Sequence, residues 1–259
     1  MWKVVGASVA GTSHGSNGTP CQDSNRYLVN GQTLLCALSD GAGSASHSHI
    51  GSQIATRTAI RCLTKASQYG RMPCQEDIEA AGEAALRSIE RFAKNRKLEV
   101  KSLACTLLLA VASKDKSIFY QLGDGGWVVR SGDSLTPVTW PLRGEYANET
   151  TFLTSFGWEK KVQIEEFPFS VDAVAGFTDG IQSLVLHYAT RSAHLPFFDP
   201  LLKVLDSSTD ADALRAPLKD FLSTNSINER TDDDKSLIVA IRKEIHFLQW
   251  PSSTKIINQ

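Results

Sequence analysis

The sequence carries its longest apolar run at Leu103–Ala112, which reads LACTLLLAVA. A polar turn at Ser113–Lys116 and a second apolar stretch at Ser117–Leu122 follow it directly. Ten residues predict a β-strand, since a membrane-spanning helix needs about 20. A strand that is apolar on both faces lies between two layers, and the short turn predicts antiparallel pairing with the next strand.

Other strand-like segments surround this pair. A hairpin is predicted around Ser131-Gly132-Asp133, between Trp127–Arg130 and Ser134–Val138. Further strands are predicted at Lys3–Ala10, Thr33–Ser39, Val171–Phe177 and Ser236–Ile241. Because the connections in the middle third are short, we expect two packed antiparallel sheets.

Helical periodicity precedes and follows this meander. Helices are predicted over residues 50–63, 73–92, 199–205 and 214–222. The second starts near Pro73, which suits a first helical turn, and the third is expected to open at Asp199-Pro200. Helices, a meander, further helices and a closing strand fit an α+β sandwich better than alternating βαβ units. We expect one domain over residues 1–243, followed by a tail over residues 244–259.

The composition excludes several classes of protein. The chain has 259 residues, 42% of them hydrophobic, and its 27 Lys+Arg and 28 Asp+Glu leave a net charge of -1. This balance provides no basic surface for a nucleic acid or an anionic membrane. Five cysteines without a CxxC pair predict reduced thiols in a cytoplasm, and the N-terminal segment is a poor signal peptide. We therefore expect a cytoplasmic protein that binds neither nucleic acid nor membrane.

Aspartates recur where predicted strands end. Three strands run into Asp40-Gly41, Asp124-Gly125 and Asp179-Gly180, and Asp232-Asp233-Asp234 precedes the last strand. Each dipeptide alone is a common turn signal. Carboxylates at the strand ends of one sheet can also converge, and they then need a cation such as Mg²⁺ or Mn²⁺. The pattern leaves two interpretations open, separate turns or a binuclear metal site.

Six motifs occur in a characteristic order: Gln22-Asp23, Leu38–Gly43, Cys105–Leu108, Leu122–Asp124, Phe177–Gly180 and Asp233–Ser236. Together they resemble the metal-dependent protein serine/threonine phosphatases, the protein phosphatase 2C family, from about Gly6 to Ile241. The segments Gly11–His14 and Pro20–Asp23 are most similar to a divergent bacterial branch. The resemblance implies a four-layer α-β-β-α sandwich of two antiparallel sheets flanked by helices. It also implies hydrolysis of phosphoserine and phosphothreonine in proteins.

The resemblance gives a metal-binding role to six residues: Asp23, Asp40, Gly41, Asp124, Asp179 and Asp233. Asp40 would bridge two ions, Mn²⁺ or Mg²⁺, with the Gly41 carbonyl on one of them. Asp179 and Asp233 would complete the first ion. Asp23 would hold the second through water, and Asp124 a weaker third. Two such ions activate a water that attacks phosphorus, so Asp40 and Asp179 count as catalytic.

The sequence departs from the family pattern at three positions. Gln22 replaces a glutamate, Ala42 stands where animal members carry a proposed general-acid histidine, and Gly18 stands where most members carry a phosphate-binding arginine. His14 is the nearby ionisable base, and we expect it to bind phosphate or to protonate the leaving oxygen. A structural or surface role for His14 is the alternative.

Two further questions stay open at this stage. The losses at Gly18 and Ala42 allow a non-catalytic member that serves as a regulatory or phosphoprotein-binding module. His47 and His49 form an H-x-H pair after the Asp40 loop, and we interpret them as solvated loop residues rather than ligands. Because members of the bacterial branch often sit beside a protein kinase, a cognate Ser/Thr kinase is the expected partner.

Overall fold

The computed structural model describes residues 1–141 and 150–243, so the predicted tail at 244–259 lies outside the described residues. The strands there are β1 Trp2–Val9, β2 Ser24–Asn30, β3 Thr33–Ser39, β4 Leu107–Ala112, β5 Ser117–Leu122, β6 Gly126–Ser131, β7 Ser134–Pro137, β8 Gln163–Phe167, β9 Ala173–Phe177, β10 Leu186–His187, β11 Ser192–Ala193 and β12 Lys235–Arg242. The α-helices are α1 Thr12–Asn17, α2 Ser48–Ala66, α3 Gln75–Arg96, α4 Gln182–Val185, α5 Leu195–Ser207, α6 Arg215–Leu222 and α7 Asn225–Asn228.

Ten of these strands form two five-stranded antiparallel sheets. Sheet A has the order β1-β12-β9-β6-β7, and sheet B has the order β2-β3-β4-β5-β8. The short strands β10 and β11 pair with each other. In sheet B every residue of β3, β4 and β5 is buried, as expected for strands covered on both faces.

Helices cover the outer face of each sheet. Ile54 of α2 and Ile78 of α3 belong to the apolar layer on the outside of sheet B. Leu202 of α5 and Leu218 of α6 belong to the layer on the outside of sheet A. A third apolar layer, which includes Trp127, fills the space between the sheets. The predicted α+β fold, a four-layer α-β-β-α sandwich, is confirmed.

The predicted antiparallel pairing of Leu103–Ala112 with Ser117–Leu122 is confirmed, with one correction to the start of the first strand. Strand β5 has the predicted bounds, but β4 begins only at Leu107, because a 3-10 turn occupies Val100–Leu103 and Cys105 forms an isolated bridge with Gly41. The backbone N–H of Thr106 meanwhile donates to the carbonyl of Asp40 at 2.8 Å. The first part of the apolar run therefore serves the loop after β3 rather than the β4–β5 ladder.

The prediction for α5 was wrong at its start. This helix begins at Leu195 rather than at Asp199, and Pro200 lies inside it. Pro196 occupies the first turn, where a missing N–H costs no helical hydrogen bond, and Phe198 is buried in the layer against sheet A. Burial of this apolar face offsets the hydrogen bond that Pro200 cannot make.

Two observations bear on the class of protein. The five cysteines all lie in the described part of the chain and are free. Among the described residues, no helix is both long enough and apolar enough to cross a membrane.

Candidate metal centre

Both sheets end at the same edge of the sandwich, and the aspartates lie there. Strands β3 and β5 both run antiparallel to β4, so Asp40 and Asp124 follow them at one end of sheet B. Strand β9 is antiparallel to β12, so Asp179 after β9 and Asp233 before β12 share one end of sheet A. The expectation of one sheet was wrong, because the carboxylates come from two sheets that face each other.

Three of the predicted ligands form a tight cluster. Carboxylate oxygens of Asp40, Asp124 and Asp179 all lie within 4.8 Å of one another. Burial raises the pKa of Asp40 well above its ordinary value, and the neighbouring carboxylates of Asp23, Asp179 and Asp124 raise it further. Burial, together with the charges of Asp124 and Asp233, raises the pKa of Asp179 to about 8. Such mutual repulsion is the condition that a bound cation relieves.

Two unpaired oxygens support the same conclusion. The buried Asp23 accepts a hydrogen bond from Thr178 Oγ1 at 2.7 Å, but its Oδ1 has no partner among the described residues. Asp124 accepts from Thr150 Oγ1 at 2.6 Å, and its Oδ1 is likewise buried and unpartnered there. Burial raises the pKa of Asp23 to about 7. Oxygen donors without protein partners fit hard divalent cations, so the residues present suit the metals that the resemblance implied.

The loop after β3 is fixed by Thr106. The Asp40 N–H donates to Thr106 Oγ1 at 2.9 Å, and Ser39 Oγ donates to the Thr106 carbonyl at 2.5 Å. Gly41 lies so close to its neighbours that a Cβ there would approach the Gln22 carbonyl oxygen to 2.8 Å. The Asp-Gly dipeptide is therefore required by packing as well as by the position of its carboxylate.

Asp233 and Asp234, in the acidic run before β12, have different environments. Asp233 is exposed and lies outside the tight three-carboxylate cluster, although its charge contributes to the raised pKa of Asp179. Asp234 is 1% exposed and accepts from the backbone N–H of Gly11 at 2.7 Å and of Gln22 at 2.5 Å. Asp234 therefore joins the first loop and the Gln22 segment to the strand end.

His14 also depends on Asp234. Its Nδ1 lies 2.9 Å from Asp234 Oδ1, and its side chain remains 18% exposed. The carboxylate orients the imidazole ring and favours a proton on Nδ1, which leaves Nε2 for other partners. The sequence named His14 but did not identify Asp234 as the residue that holds it.

The sequence motifs did not indicate that Lys235 is buried. Lys235 is 0% exposed, and its Nζ donates to Asn228 Oδ1 at 3.0 Å and to the Asp233 carbonyl at 3.1 Å. Burial lowers its pKa, whereas the charges of Asp234 and Asp233 raise it. Lys235 thus places a cation beside the acidic residues before β12. The one sequence signal for this is that Lys235 directly follows Asp232-Asp233-Asp234.

Two of the positions that depart from the family pattern differ in their exposure to solvent. Gly18 is exposed in a left-handed conformation with φ 66°, and Ala42 is buried. His47 is partly exposed and its Nδ1 lies 2.9 Å from Ser46 Oγ. Neither His47 nor His49 belongs to the three-carboxylate cluster among the described residues.

The two facing sheets, their flanking helices and the acidic cluster at one end agree with the family that the six sequence motifs resemble. A model of the family described as "Protein phosphatase 2C" matches residues 10–223. The chain belongs to this family, and the predicted enzyme class, a protein phosphatase, is confirmed.

Individual relatives extend the comparison. Serine/threonine-protein phosphatase 3 of Escherichia coli (strain K12) is 37% identical over 251 residues, which cover 94% of this chain and 99% of that protein. A serine/threonine phosphatase structure from S. agalactiae has a TM-score of 0.62 at 15% identity and covers 94% of this chain and 100% of its own. A C. elegans sex-determining protein has a TM-score of 0.64 at 15% identity, covering 92% of this chain and 64% of that one. These two structures show the shared fold.

Proposed function

We propose that this protein hydrolyses phosphoserine and phosphothreonine in phosphorylated proteins at a binuclear Mn²⁺ or Mg²⁺ site. The observation that carries the proposal is that carboxylate oxygens of Asp40, Asp124 and Asp179 lie within 4.8 Å of one another. The first two residues follow strands of sheet B, and the third follows a strand of sheet A. A protein relative named as a serine/threonine phosphatase supports the substrate class. We also propose a cytoplasmic location and a cognate Ser/Thr kinase that supplies the phosphoprotein.

The ligands divide between the two sheets in this proposal. Asp40 would be shared by both ions, Asp179 and Asp233 would hold one, and Asp23 would hold the other through water. Asp124 would hold a weaker third ion. When bound, two divalent ions would supply an acidified water and neutralise charge on the phosphoryl oxygens. The protein keeps the geometry ready, because Thr106 fixes Asp40 and Thr178 fixes Asp23.

His14 is the residue we assign to the substrate itself. The imidazole is held through Nδ1 by the buried Asp234, so Nε2 is the atom that would contact a phosphate oxygen or the leaving alkoxide. This arrangement would fill the functions lost at Gly18 and Ala42.

The proposal is tested by phosphate release from a phosphothreonine peptide. Asp40→Asn should reduce the rate about a hundredfold or more. Asp115→Asn is a matched control, because it makes the same chemical change at an exposed aspartate in the turn before β5, outside the carboxylate cluster. This variant should keep the rate of the unaltered protein. Absence of release by the unaltered protein with Mn²⁺ would instead favour the non-catalytic module.

A further inference from the structure

A cavity lies on the outer side of sheet B, away from the carboxylate cluster. It has a volume of about 420 Å³ and is bounded by helix α3, strands β5 and β8, and the 3-10 turn Trp158–Lys161. None of its lining residues belongs to the carboxylate cluster. Its volume suits a small organic molecule.

Two buried donors line this cavity without hydrogen-bond partners. Tyr120 is 1% exposed and Trp158 is 5% exposed. The Tyr120 hydroxyl and the Trp158 indole N–H are both unpartnered within residues 1–141 and 150–243. Since buried polar groups are ordinarily paired, these two groups point to an acceptor that the described chain does not provide.

Helix α3 leaves room for the tyrosine hydroxyl. A Cβ added at Gly82 would lie only 2.7 Å from Tyr120 Oη. A residue with a side chain at this position would push the hydroxyl away from the helix. Gly82 therefore maintains the wall of the cavity where the unpartnered hydroxyl lies.

Three of the residues that line the cavity are glutamates. Glu79, Glu83 and Glu159 line the cavity. Arg87 Nη1 pairs with Glu83 at 3.0 Å and offsets its charge, while Glu79 accepts from the neutral Gln75 amide at 2.8 Å. Glu79 and Glu159 consequently provide the net negative charge among the lining residues.

We propose that this cavity binds a small organic cation that also carries an oxygen acceptor. The cationic group lies near Glu79 and Glu159, and the oxygen accepts hydrogen bonds from the Trp158 indole N–H and the Tyr120 hydroxyl. The carbon skeleton packs on Val162 and Ile164, the apolar part of the lining. Tyramine, ethanolamine and arginine amide all combine the two required groups.

Calorimetric titration of the full chain with these three compounds tests the proposal. We expect at least one to bind with a dissociation constant below about 1 mM and with one site per chain. Replacing both carboxylates, in Glu79→Gln/Glu159→Gln, should weaken binding about tenfold. Tyr120→Phe should also weaken it, because it removes one polar group and keeps the ring.

The controls separate specific binding from other occupancy. Glu90→Gln alters an exposed glutamate of α3 that does not line the cavity, and it should bind as the unaltered protein does. The neutral 4-ethylphenol should bind more weakly than tyramine. Failure of all three cations to bind would overturn the proposal. So would a double variant that binds the tightest cation as well as the unaltered protein does, or 4-ethylphenol binding as tightly as that cation. Since binding requires no turnover, failure of the proposed phosphatase activity leaves this test intact.

Discussion

Thr106 and Asp40 exchange two hydrogen bonds. The Asp40 N–H donates to Thr106 Oγ1 at 2.9 Å, and the Thr106 N–H donates to the Asp40 carbonyl at 2.8 Å. A residue in the longest apolar run of the sequence therefore fixes the backbone of Asp40, whose carboxylate belongs to the three-carboxylate cluster.

Thr106→Val should impair the site without altering any carboxylate. The substitution leaves the Asp40 N–H without its acceptor, which costs about 1–3 kcal/mol for a buried group. We expect kcat to fall about tenfold with a lower Tm. Thr106→Ser, which keeps the hydroxyl, should restore kcat, and kinetics of both variants with a phosphothreonine peptide provide the test. A fully active valine variant would refute the positioning role.

The carboxylates should differ in their effect on activity. Asp40→Asn and Asp179→Asn should each lower kcat about a hundredfold or more, because both carboxylates belong to the proposed metal clamp. Asp124→Asn should mainly raise the Mn²⁺ concentration needed for half-maximal activity, with a smaller loss at saturation. Metal titrations of the three variants measure this ranking. Equal losses at saturating Mn²⁺ would contradict it.

Stability without metal should decline as the pH rises. The pKa of Asp179 is raised to about 8, above its ordinary 3.8, so the folded protein keeps a proton that the unfolded chain releases. The state that binds more protons loses stability as pH increases, here between about pH 4 and about pH 8. Thermal unfolding in EDTA should therefore show a falling Tm over this range.

Asp179→Asn isolates this contribution. The variant lacks the titrating carboxyl, so its Tm in EDTA should exceed that of the unaltered protein by a margin that grows with pH. Saturating Mg²⁺ should reduce the decline in the unaltered protein, because the cation replaces the protons. A margin that is constant with pH would show that Asp179 does not hold a proton in the folded state.

His14→Gln should distinguish two roles for the imidazole. A general acid matters for a poor alkoxide leaving group and little for 4-nitrophenolate, which leaves without a proton. If His14 donates a proton, kcat for a phosphothreonine peptide should fall about tenfold while that for 4-nitrophenyl phosphate changes little. If it binds phosphate, KM should rise for both substrates. Unchanged kinetics for both would leave His14 with a structural role.

Periodicity predicted the elements that hydrophobic burial determines. Strands β3 and β5 have the predicted bounds because every residue in them is buried. Strand β2, Ser24–Asn30, was missed because only Ser24 in it is fully buried and the other residues alternate between partly buried and exposed. Strand β8 was missed for a similar reason, since Gln163–Phe167 contains no fully buried residue.

The composition of the site could be predicted further than its geometry. The Asp-Gly repeats named Asp40, Asp124 and Asp179, and the structure brings these three together. Periodicity could not show that two different sheets contribute them, because that depends on pairing between strands far apart in the chain. Nor could it separate Asp234, which ties loops together, from the exposed Asp233 beside it.

Reversible metal dependence tests the central claim most directly. Phosphate release from a phosphothreonine peptide is measured first with Mn²⁺, then after removal of metal with EDTA, and finally after Mn²⁺ is restored in excess. A rate that disappears with EDTA and returns with Mn²⁺ is the result we predict, because divalent ions held by Asp40, Asp124 and Asp179 would supply the acidified water that attacks phosphorus. Turnover of the same size in EDTA would contradict the account.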